Sequence, residues 1–327
     1  MAFRSGFVCI IGRPNAGKST LLNALVGEKI AIISPKPQTT RNRILGIVNL
    51  SARKGRPAAQ IVLLDTPGVH KPDSSLGRKM MAEVREALEG CDLLLVFVDA
   101  SRKREGADEF LLNMVSKAKT PAMLLLNKID LLRAGRNEGN RDSGAQGKQK
   151  LLPLIERYSE SYEFVEIVPI SALKREGLDL LLDKIVEHLP AGSPYFSPDE
   201  ITDQPARFMA AEVVREQVLQ ATSDEVPYST TVIVEQFEEG LKRTRIAAVI
   251  YCERQGQKAI LLGKNGQMIK KIGSAGRLQL EKMLGTKVFL ELFVKVRENW
   301  RESNEFVEEL DWRRQLHQLT SNHSLRS

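Results

Sequence analysis

Short apolar runs alternate with amphipathic helical patterns over the first 189 residues of the chain. Apolar runs bounded by polar residues are typical of buried strands, and apolar positions spaced three and four apart are typical of helices. Strands are predicted at residues 7–11, 44–50, 60–65, 93–99, 123–127 and 163–169. Helices are predicted at residues 18–25, 76–88, 107–118, 149–158 and 177–188. This alternation predicts an α/β domain with a mostly parallel sheet, helices on both faces, and a ligand site beyond the carboxyl ends of the strands.

A different order of elements follows residue 205. A helical pattern comes first, then two strands, two further helical patterns and a last strand of alternating apolar and polar residues. The helices are predicted at residues 207–220, 258–272 and 275–284, and the strands at residues 230–237, 245–253 and 287–296. The order predicts a separate α+β domain of about 100 residues.

Polar and proline-rich segments divide the chain. A basic hairpin tip is predicted at residues 51–57. A mobile loop is predicted at residues 133–148, because this segment is rich in Gly, Asn, Arg and Gln. Four prolines between residues 190 and 205 predict a linker. The predicted organisation is therefore a first domain at 1–189, a linker at 190–205, a second domain at 206–300, and a C-terminal tail at 301–327, of which the polar part beyond Asp311 is expected to fray.

Composition and charge narrow the class of protein. With 42% hydrophobic and 27% charged residues the chain is globular, and its apolar runs are far shorter than the ~20 residues of a membrane-spanning helix. Three scattered cysteines and four histidines without ligand spacing favour a reduced cytosolic chain and disfavour a zinc enzyme. The net charge is +7, yet residues 241–300 alone carry 13 Lys and Arg against 4 Asp and Glu. This asymmetry indicates a partner with phosphates or an anionic surface.

Residues 12–19, Gly-Arg-Pro-Asn-Ala-Gly-Lys-Ser, match the phosphate-binding loop between a predicted strand and a predicted helix. Glycines let the backbone N–H groups face phosphate oxygens, and the helix N-terminus adds positive potential. Lys18 is expected to reach the β- and γ-phosphates, and the Ser19 hydroxyl to ligate Mg²⁺. The nucleotide-binding residues predicted here are Gly12, Asn15, Ala16, Gly17, Lys18, Ser19 and Thr20.

Guanine is predicted as the base by Asn127-Lys128-Ile129-Asp130, at the end of a predicted strand. The Asp130 carboxylate only accepts hydrogen bonds, and guanine offers two N–H donors on one edge whereas adenine leaves the carboxylate unpaired. Asn127 is expected to bridge base and loops, and the Lys128 stem to pack over the ring. Ser171 and Ala172, after the last strand of the sheet, are expected to offer a backbone N–H to the guanine oxygen.

Two further segments are expected to sense the γ-phosphate. In Asp65-Thr66-Pro67-Gly68, Asp65 would hold Mg²⁺ through water and the Gly68 N–H would meet the γ-phosphate. In the loop before it, Thr40 is favoured over Thr39 as a Mg²⁺ ligand that orders the loop with the triphosphate. The predicted metal ligands are Ser19, Thr40 and Asp65. The predicted catalytic groups are Lys18, Thr40 and Gly68.

The basic segment contains Gly263-Lys264-Asn265-Gly266 between apolar helical patterns. Missing side chains would let backbone amides touch phosphates, while nearby lysines supply charge and an apolar groove receives unpaired bases. The predicted RNA-binding residues are Lys258, Gly263, Lys264, Asn265, Gly266, Lys270 and Lys271. Trp300 is expected either to pack in the core or to stack on a base.

The chain resembles the translation-factor-related GTPases, and more narrowly the Era family, over roughly residues 5–300. The strings that carry the resemblance lie at residues 38–41, 65–68, 201–203, 207–210 and 253–258. The resemblance implies a P-loop GTPase domain followed by a type II KH domain, which clamps about four nucleotides of a single strand. Val69, where many GTPases have a water-orienting Gln, implies slow intrinsic hydrolysis. The family also suggests a K⁺ ion held near Asn15.

The family further implies binding to the 3′ end of small-subunit ribosomal RNA, help in maturing that subunit, a cytoplasmic location and peripheral contact with the inner membrane. DNA is not an expected partner. Three alternatives stay open on the residues alone: a P-loop ATPase or kinase, a membrane-surface signalling GTPase whose basic domain binds anionic lipid or a protein, and an RNA chaperone that uses GTP only as a ligand.

Overall fold

The computed structural model describes residues 2–36, 38–102, 106–133, 143–223, 225–240 and 242–313, leaving aside the side chains of 106, 107, 133 and 143–150. The chain forms two compact units. The first comprises Met1–Ala31, Pro37–Lys71 and Met80–Asp203. The second comprises Ile32–Lys36, Pro72–Lys79 and Gln204–Ser327.

The first unit is built on a six-stranded sheet in the order β2-β3-β1-β4-β5-β6. The strands are β1 Arg4–Gly12, β2 Ile44–Leu50, β3 Ala59–Asp65, β4 Leu93–Asp99, β5 Ala122–Asn127 and β6 Glu166–Pro169. Neighbouring strands are parallel except β2 and β3, which pair antiparallel. The mostly parallel sheet predicted from the sequence is therefore confirmed, and the carboxyl ends of β1, β3, β4 and β5 lie at one edge.

Within the residues that the structure describes, six helices accompany this sheet. They are α1 Lys18–Val26, α2 Ser75–Glu89, α3 Gly106–Ala118, α4 Ile129–Arg133, α5 Ser143–Ser161 and α6 Leu178–His188. The central strands are apolar on both faces, as a sheet covered by helices requires: every residue of β3 is buried, as is every residue of β5.

Three expectations for the first unit need correction. The loop predicted at 133–148 is helical from Ser143 onward, while residues 134–142 lie outside the described residues. The short helix α4 was not predicted, because four or five residues carry too little periodicity to register as a helix. The proline-rich segment expected as a linker is instead held on the first unit: the Ile47 N–H donates to the Ile201 carbonyl at 2.9 Å, and the Gln60 side chain donates to the Phe196 carbonyl.

The second unit has the helix and strand order of a type II KH domain. Its elements are α7 Ala206–Ala221, β7 Thr231–Glu238, β8 Arg243–Cys252, α8 Gln255–Leu262, α9 Gln267–Leu284, β9 Lys287–Val296 and α10 Asn304–Glu309. The sheet order is β7-β8-β9, with β7 antiparallel and β9 parallel to β8. Residues of α7, α8, α9 and one face of the sheet share a single apolar core.

One expectation for this unit was wrong. The helical break expected after residue 272 is absent, and α9 runs unbroken through Gly273, whereas the chain breaks at the glycine turn between α8 and α9. The first part of the C-terminal tail is folded, with Phe306 and Val307 of α10 buried, and the fraying expected beyond Asp311 stays a prediction. Residues 314–327 lie outside the described residues. Trp300 packs in the core, with its Nε1–H donating to the Ser229 carbonyl at 2.8 Å.

Candidate functional site

The loop between β1 and α1 has the backbone geometry of a phosphate cradle. Asn15 (φ 62°) and Gly17 (φ 106°) are both left-handed. A Cβ atom at Gly17 would lie 2.3 Å from the Asn127 Nδ2, and one at Gly12 would lie 2.6 Å from the Phe97 carbonyl oxygen. Both positions therefore require glycine, because neighbouring atoms leave no room for a Cβ atom. The loop leads directly into the N-terminus of α1, where anions are stabilised.

Lys18 is buried inside this loop. Its Nζ donates to the carbonyl oxygens of Gly12 and Arg13, each at 3.1 Å. Burial lowers the pKa of the Lys18 ammonium, and the Asp65 carboxylate acts in the opposite direction. The ammonium therefore lies where the loop would hold the terminal phosphates of a nucleotide.

The three predicted metal ligands meet beside Lys18. The Ser19 Oγ donates to Asp65 Oδ2 at 2.6 Å and lies 2.9 Å from Thr40 Oγ1, and Thr40 Oγ1 is 3.4 Å from the same carboxylate oxygen. Burial raises the pKa of Asp65 to about 6, against the opposing effects of Lys18 and the two hydroxyls. Its other oxygen, Oδ1, is buried and has no hydrogen-bond partner among the described residues. A hard, oxygen-only donor set with an unsatisfied carboxylate oxygen fits Mg²⁺.

The segment after Asp65 is packed against the phosphate loop. A Cβ atom at Gly68 would lie 2.7 Å from the backbone nitrogen of Pro14, and the Val69 N–H donates to the Gly12 carbonyl at 3.0 Å. The Val69 side chain is 1% exposed and belongs to the apolar core. It therefore neither reaches the nucleotide nor carries a group that could orient water.

His70 was missed by the sequence analysis. Its Nδ1 lies 2.8 Å from the Gly68 carbonyl oxygen, which only accepts hydrogen bonds, so Nδ1 carries a proton. Nε2 is buried and has no partner in the part of the chain that the structure describes. Only its position two residues after Gly68 could have drawn attention to it.

The predicted base-recognition residues converge at the ends of β5 and β6. The Asn127 side chain donates to the Ala16 carbonyl at 2.7 Å and accepts from the Ala172 N–H at 2.9 Å. Asp130 Oδ1 accepts from the Ser171 hydroxyl at 2.6 Å. Asn127 thereby joins the phosphate loop to the segment that contains Ser171 and Ala172, while the guanine contacts of these residues stay predictions.

Lys128 is held by a residue that the sequence analysis also missed. Its Nζ donates to the Asn15 carbonyl at 2.8 Å and to Asp99 Oδ2 at 2.7 Å. Burial raises the pKa of Asp99, and hydrogen bonds from Lys128 and Ser101 outweigh it, so that the pKa is lowered overall. Asp99 is the last residue of β4, and that position at the carboxyl edge of the sheet was the available signal.

The second unit carries the predicted glycine loop between α8 and α9. Gly263, Asn265 and Gly266 have φ values of 69°, 52° and 75°. A Cβ atom at Gly263 would lie 2.8 Å from the Met268 backbone nitrogen, whereas one at Gly266 would approach only the Ile269 side chain, at 3.9 Å. Lys264, Asn265, Lys270 and Lys271 are exposed and Lys258 is half-buried.

A groove adjoins this loop. It is lined by Ile269, Lys270, Gly273, Ser274, Arg277, Leu290 and Leu292. Apolar side chains on the floor and two cations on the rim suit unpaired bases whose phosphates follow the rim. The glycine loop and this groove together form the candidate RNA site.

Comparison with protein families matches two parts of the chain. Residues 7–128 match the family model described as 50S ribosome-binding GTPase, and residues 225–301 match the KH domain. The first match covers the phosphate loop and ends within the Asn127–Asp130 motif, and the second covers the glycine loop.

Full-length relatives cover nearly the whole chain. It is 44% identical over 316 residues to GTPase Era of Ruminiclostridium cellulolyticum, covering 96% of this chain and 99% of that protein. It is 47% identical over 314 residues to GTPase Era of Geobacter metallireducens, covering 95% and 98%.

Two solved structures are similar over most of their length. A variant of Aquifex aeolicus Era bound to GDP and tetrafluoroaluminate has a TM-score of 0.83 and 40% identity, covering 93% of this chain and 98% of that one. Era in complex with MgGDPNP and nucleotides 1506–1542 of 16S ribosomal RNA has a TM-score of 0.84 and 40% identity, covering 94% and 98%.

Proposed function

Because the chain belongs to the Era family of GTPases, we propose that it is a GTP-hydrolysing switch that binds the 3′ end of small-subunit ribosomal RNA and assists assembly of that subunit. The observation that carries the proposal is that one chain holds both a triphosphate site, with Ser19, Thr40 and Asp65 converging, and a cationic glycine loop with an open groove. The complex of a similar Era with 16S ribosomal RNA supports it.

The chain's own residues would divide the work of hydrolysis. Ser19, Thr40 and Asp65 would hold Mg²⁺, which, when bound, neutralises charge on the β- and γ-phosphates. Lys18 would contact the terminal phosphates and the Gly68 N–H the γ-phosphate. Since Val69 is buried in the core, no side chain at that position orders the attacking water, and intrinsic hydrolysis is slow.

We propose that Asn15 contributes to a K⁺ site beside the phosphate loop. Asn15 is left-handed within the phosphate loop, its backbone carbonyl accepts from Lys128, and its side-chain amide oxygen is an atom of the type that hard cations prefer as a ligand. Binding of GDP with tetrafluoroaluminate, followed with a fluorescent nucleotide, should be tighter in K⁺ than in Na⁺. Asn15→Ala should remove this difference, and equal binding of the wild type in both salts would refute the site.

Selection of guanine by Asp130 is tested by Asp130→Asn. The carboxylate is expected to pair with two guanine N–H donors, so the amide should shift preference from guanine toward xanthine nucleotides by about two orders of magnitude. Asp179→Asn, an exposed position on α6, is the matched control. An unchanged ranking of guanine, xanthine and adenine nucleotides would revive the ATPase alternative.

The RNA site is tested by Gly266→Asp. This position is left-handed, and a Cβ atom there would contact only the Ile269 side chain, at 3.9 Å, so aspartate adds negative charge to the phosphate clamp at the cost of backbone strain but without a clash. Gly285→Asp is the matched control, because Gly285 is also left-handed (φ 66°) with no atom within 4 Å of a built Cβ. RNA binding should fall more than tenfold in the first variant only, measured by fluorescence anisotropy. Equal loss in both variants, or none, contradicts the proposed clamp.

We propose that the protein acts in the cytoplasm and that it assists the assembly of the small ribosomal subunit. Within the described residues no helix is long and apolar enough to cross a bilayer.

Contact with the inner-membrane surface through the basic segment is the second candidate function. Gly266→Asp separates the two: loss of cosedimentation with small subunits supports the RNA function, whereas intact subunit binding together with reduced binding to vesicles containing phosphatidylglycerol would favour the membrane function.

A further inference from the structure

Two phenylalanines stand exposed on the sheet of the second unit. Residues of β9 alternate between the faces of the sheet, and Val288, Leu290, Leu292 and Val294 belong to the apolar core or border it. The intervening residues face the other way, and there Phe289 is 42% and Phe293 is 51% exposed. We call this surface the open face.

Two arginines of β8 flank one of these rings. Arg245 lies opposite Phe289 in the parallel register, and Arg243 lies opposite Lys287. The guanidinium carbons of Arg243 and Arg245 are each 5.6 Å from the centroid of the Phe289 ring, within the range of a cation–π contact. Cations around an exposed ring combine a surface for stacking with charge for phosphates.

The charge of the open face is positive. Its cations are Arg243, Arg245, Lys287 and Lys295, and its carboxylates are Glu235, Glu238 and Glu291. Glu291 pairs with Arg245 at 3.1 Å and Glu235 with Lys295 at 3.1 Å. Arg243 forms no ion pair with any carboxylate in the described ranges, and Lys287, whose side chain is 79% exposed, lies only at the long distance of 3.8 Å from the Glu281 carboxylate. An anionic partner therefore finds two cations that internal carboxylates do not neutralise well.

We propose that the open face binds an unpaired stretch of RNA, as a second contact beyond the glycine-loop groove. Bases would stack on Phe289 and Phe293, while Arg243, Arg245 and Lys287 meet phosphates. The inference rests on the proposed function, that this domain binds a single strand. It goes further in giving that strand a second surface, on the side of β9 opposite Leu290 and Leu292.

The sheet topology places the glycine-loop groove and the open face a short distance apart. β9 is an edge strand, because the sheet order is β7-β8-β9. Leu290 and Leu292 line the groove on one side of this strand, and Phe289 and Phe293 stand on its other side. An RNA chain that leaves the groove therefore needs only to pass around β9 to reach the open face. The glycine loop accounts for about four nucleotides, so a longer footprint is the measurable consequence.

The experiment compares RNA of two lengths on the full chain. The probes are oligonucleotides of 6 and 16 nucleotides, about one and several clamp lengths, from the 3′ end of a bacterial small-subunit ribosomal RNA, measured by fluorescence anisotropy at fixed salt. The double variant Phe289→Ala and Phe293→Ala should bind the longer RNA about tenfold more weakly and the shorter RNA as the wild type does. Leu278→Ala, an exposed apolar position on α9 (60% exposed), is the control and should change neither.

A second variant guards against an effect of folding. Arg243→Glu reverses an exposed charge and removes the cation beside the Phe289 ring, and it should weaken binding of the longer RNA, with a smaller dependence on salt. If both variants bind the longer RNA like the wild type while Gly266→Asp abolishes binding, the open face is not an RNA surface although the proposed function holds. If the wild type binds neither RNA, the proposed function itself fails. A concentration-dependent dimer in sedimentation that the double variant abolishes would overturn the inference in favour of an interface between copies.

Discussion

At the scale of single residues, the nucleotide site buries two opposite charges that influence each other through space without forming an ion pair in the described residues. Lys18 and Asp65 are 6% and 0% exposed, and burial lowers the pKa of the lysine and raises that of the aspartate to about 6. Burying charged groups costs free energy even when they are paired. The ligand-free site is therefore held at some expense in stability, which a bound Mg²⁺ and its phosphates would relieve.

Asp65→Asn tests this cost. The folded pKa, about 6, lies above the ordinary value of 3.8, so between these values the folded state binds more protons than the unfolded state. Stability therefore falls as pH rises through this range and is constant above it. Asp65→Asn removes the ionisation and should be more stable than the wild type at pH 7.5, by on the order of 3 kcal/mol.

Urea unfolding of both proteins, in EDTA without nucleotide, measures the effect. The difference in the free energy of unfolding should shrink as pH falls toward 4.5, because the wild-type carboxyl becomes protonated. In the same variant, Mg²⁺-dependent nucleotide affinity should drop. A variant less stable than the wild type at pH 7.5 would show that the hydrogen bonds to the carboxylate outweigh the burial of its charge.

Elements with long, regular patterns were predictable, and short or glycine-containing ones were not. The strands β2 and β4 and the strand β9 have the bounds that the sequence predicted, because long apolar runs and strict alternation have few other solutions. The helical break was misplaced because Gly273 is a weak helix former, yet α9 is continuous there. In the candidate nucleotide site, Lys18, Asp65 and Asn127 were predicted from motif spacing. Asp99 was not predicted, because its contact with Lys128 joins residues distant in sequence, and His70 was not predicted, because no motif marks its contact with the Gly68 carbonyl.

The position of Gly273 suggests why a poor helix former is present within α9. Gly273 lines the groove, and a Cβ atom there would lie 3.4 Å from Leu292 Cδ1. Gly273→Ala should stabilise the isolated helix, by about 0.5–1 kcal/mol, while it narrows the groove. We expect a small gain in the midpoint of thermal unfolding together with several-fold weaker RNA binding. Stronger stability with unchanged RNA affinity would show that bases do not enter the groove at this point.

At the scale of the whole molecule, the division into compact units does not follow the boundary read from the sequence. Ile32–Lys36 and Pro72–Lys79 are counted with the KH domain, although both segments lie within the first 189 residues. Thr40 follows the first segment by four positions, and Gly68 precedes the second by four. No local pattern could have predicted this, because it arises from contacts distant in sequence.

These segments offer a route by which nucleotide and RNA could affect each other. The Lys36 Nζ donates to the carbonyl oxygens of Leu219 and Thr222 at the end of α7, and the Ser75 hydroxyl donates to the Glu302 carbonyl at 2.9 Å. A ligand that orders the chain around Thr40 or Gly68 would act on residues covalently continuous with the KH unit. Any resulting coupling must be reciprocal: if GTP tightens RNA binding, RNA tightens GTP binding by the same factor.

Lys36→Ala is the variant that tests this route. Lys36 is not among the residues expected to contact nucleotide or RNA, so the affinity for each ligand alone should stay within about twofold of the wild type. A coupling free energy of 1–3 kcal/mol corresponds to a factor of about 5–150, and the loss of two hydrogen bonds from a charged donor is large enough to reduce this factor several-fold.

The measurement is the affinity for a non-hydrolysable GTP analogue with and without saturating RNA, repeated as RNA affinity with and without the analogue. For each ligand we take the ratio of its affinity with the other ligand present to its affinity without it. Both ratios should fall toward one in Lys36→Ala. They should be preserved in Lys29→Ala, which changes an exposed lysine before the same segment. Wild-type ratios that differ from each other would expose an unequilibrated assay, and an undiminished ratio in Lys36→Ala would exclude this segment as the carrier of the coupling.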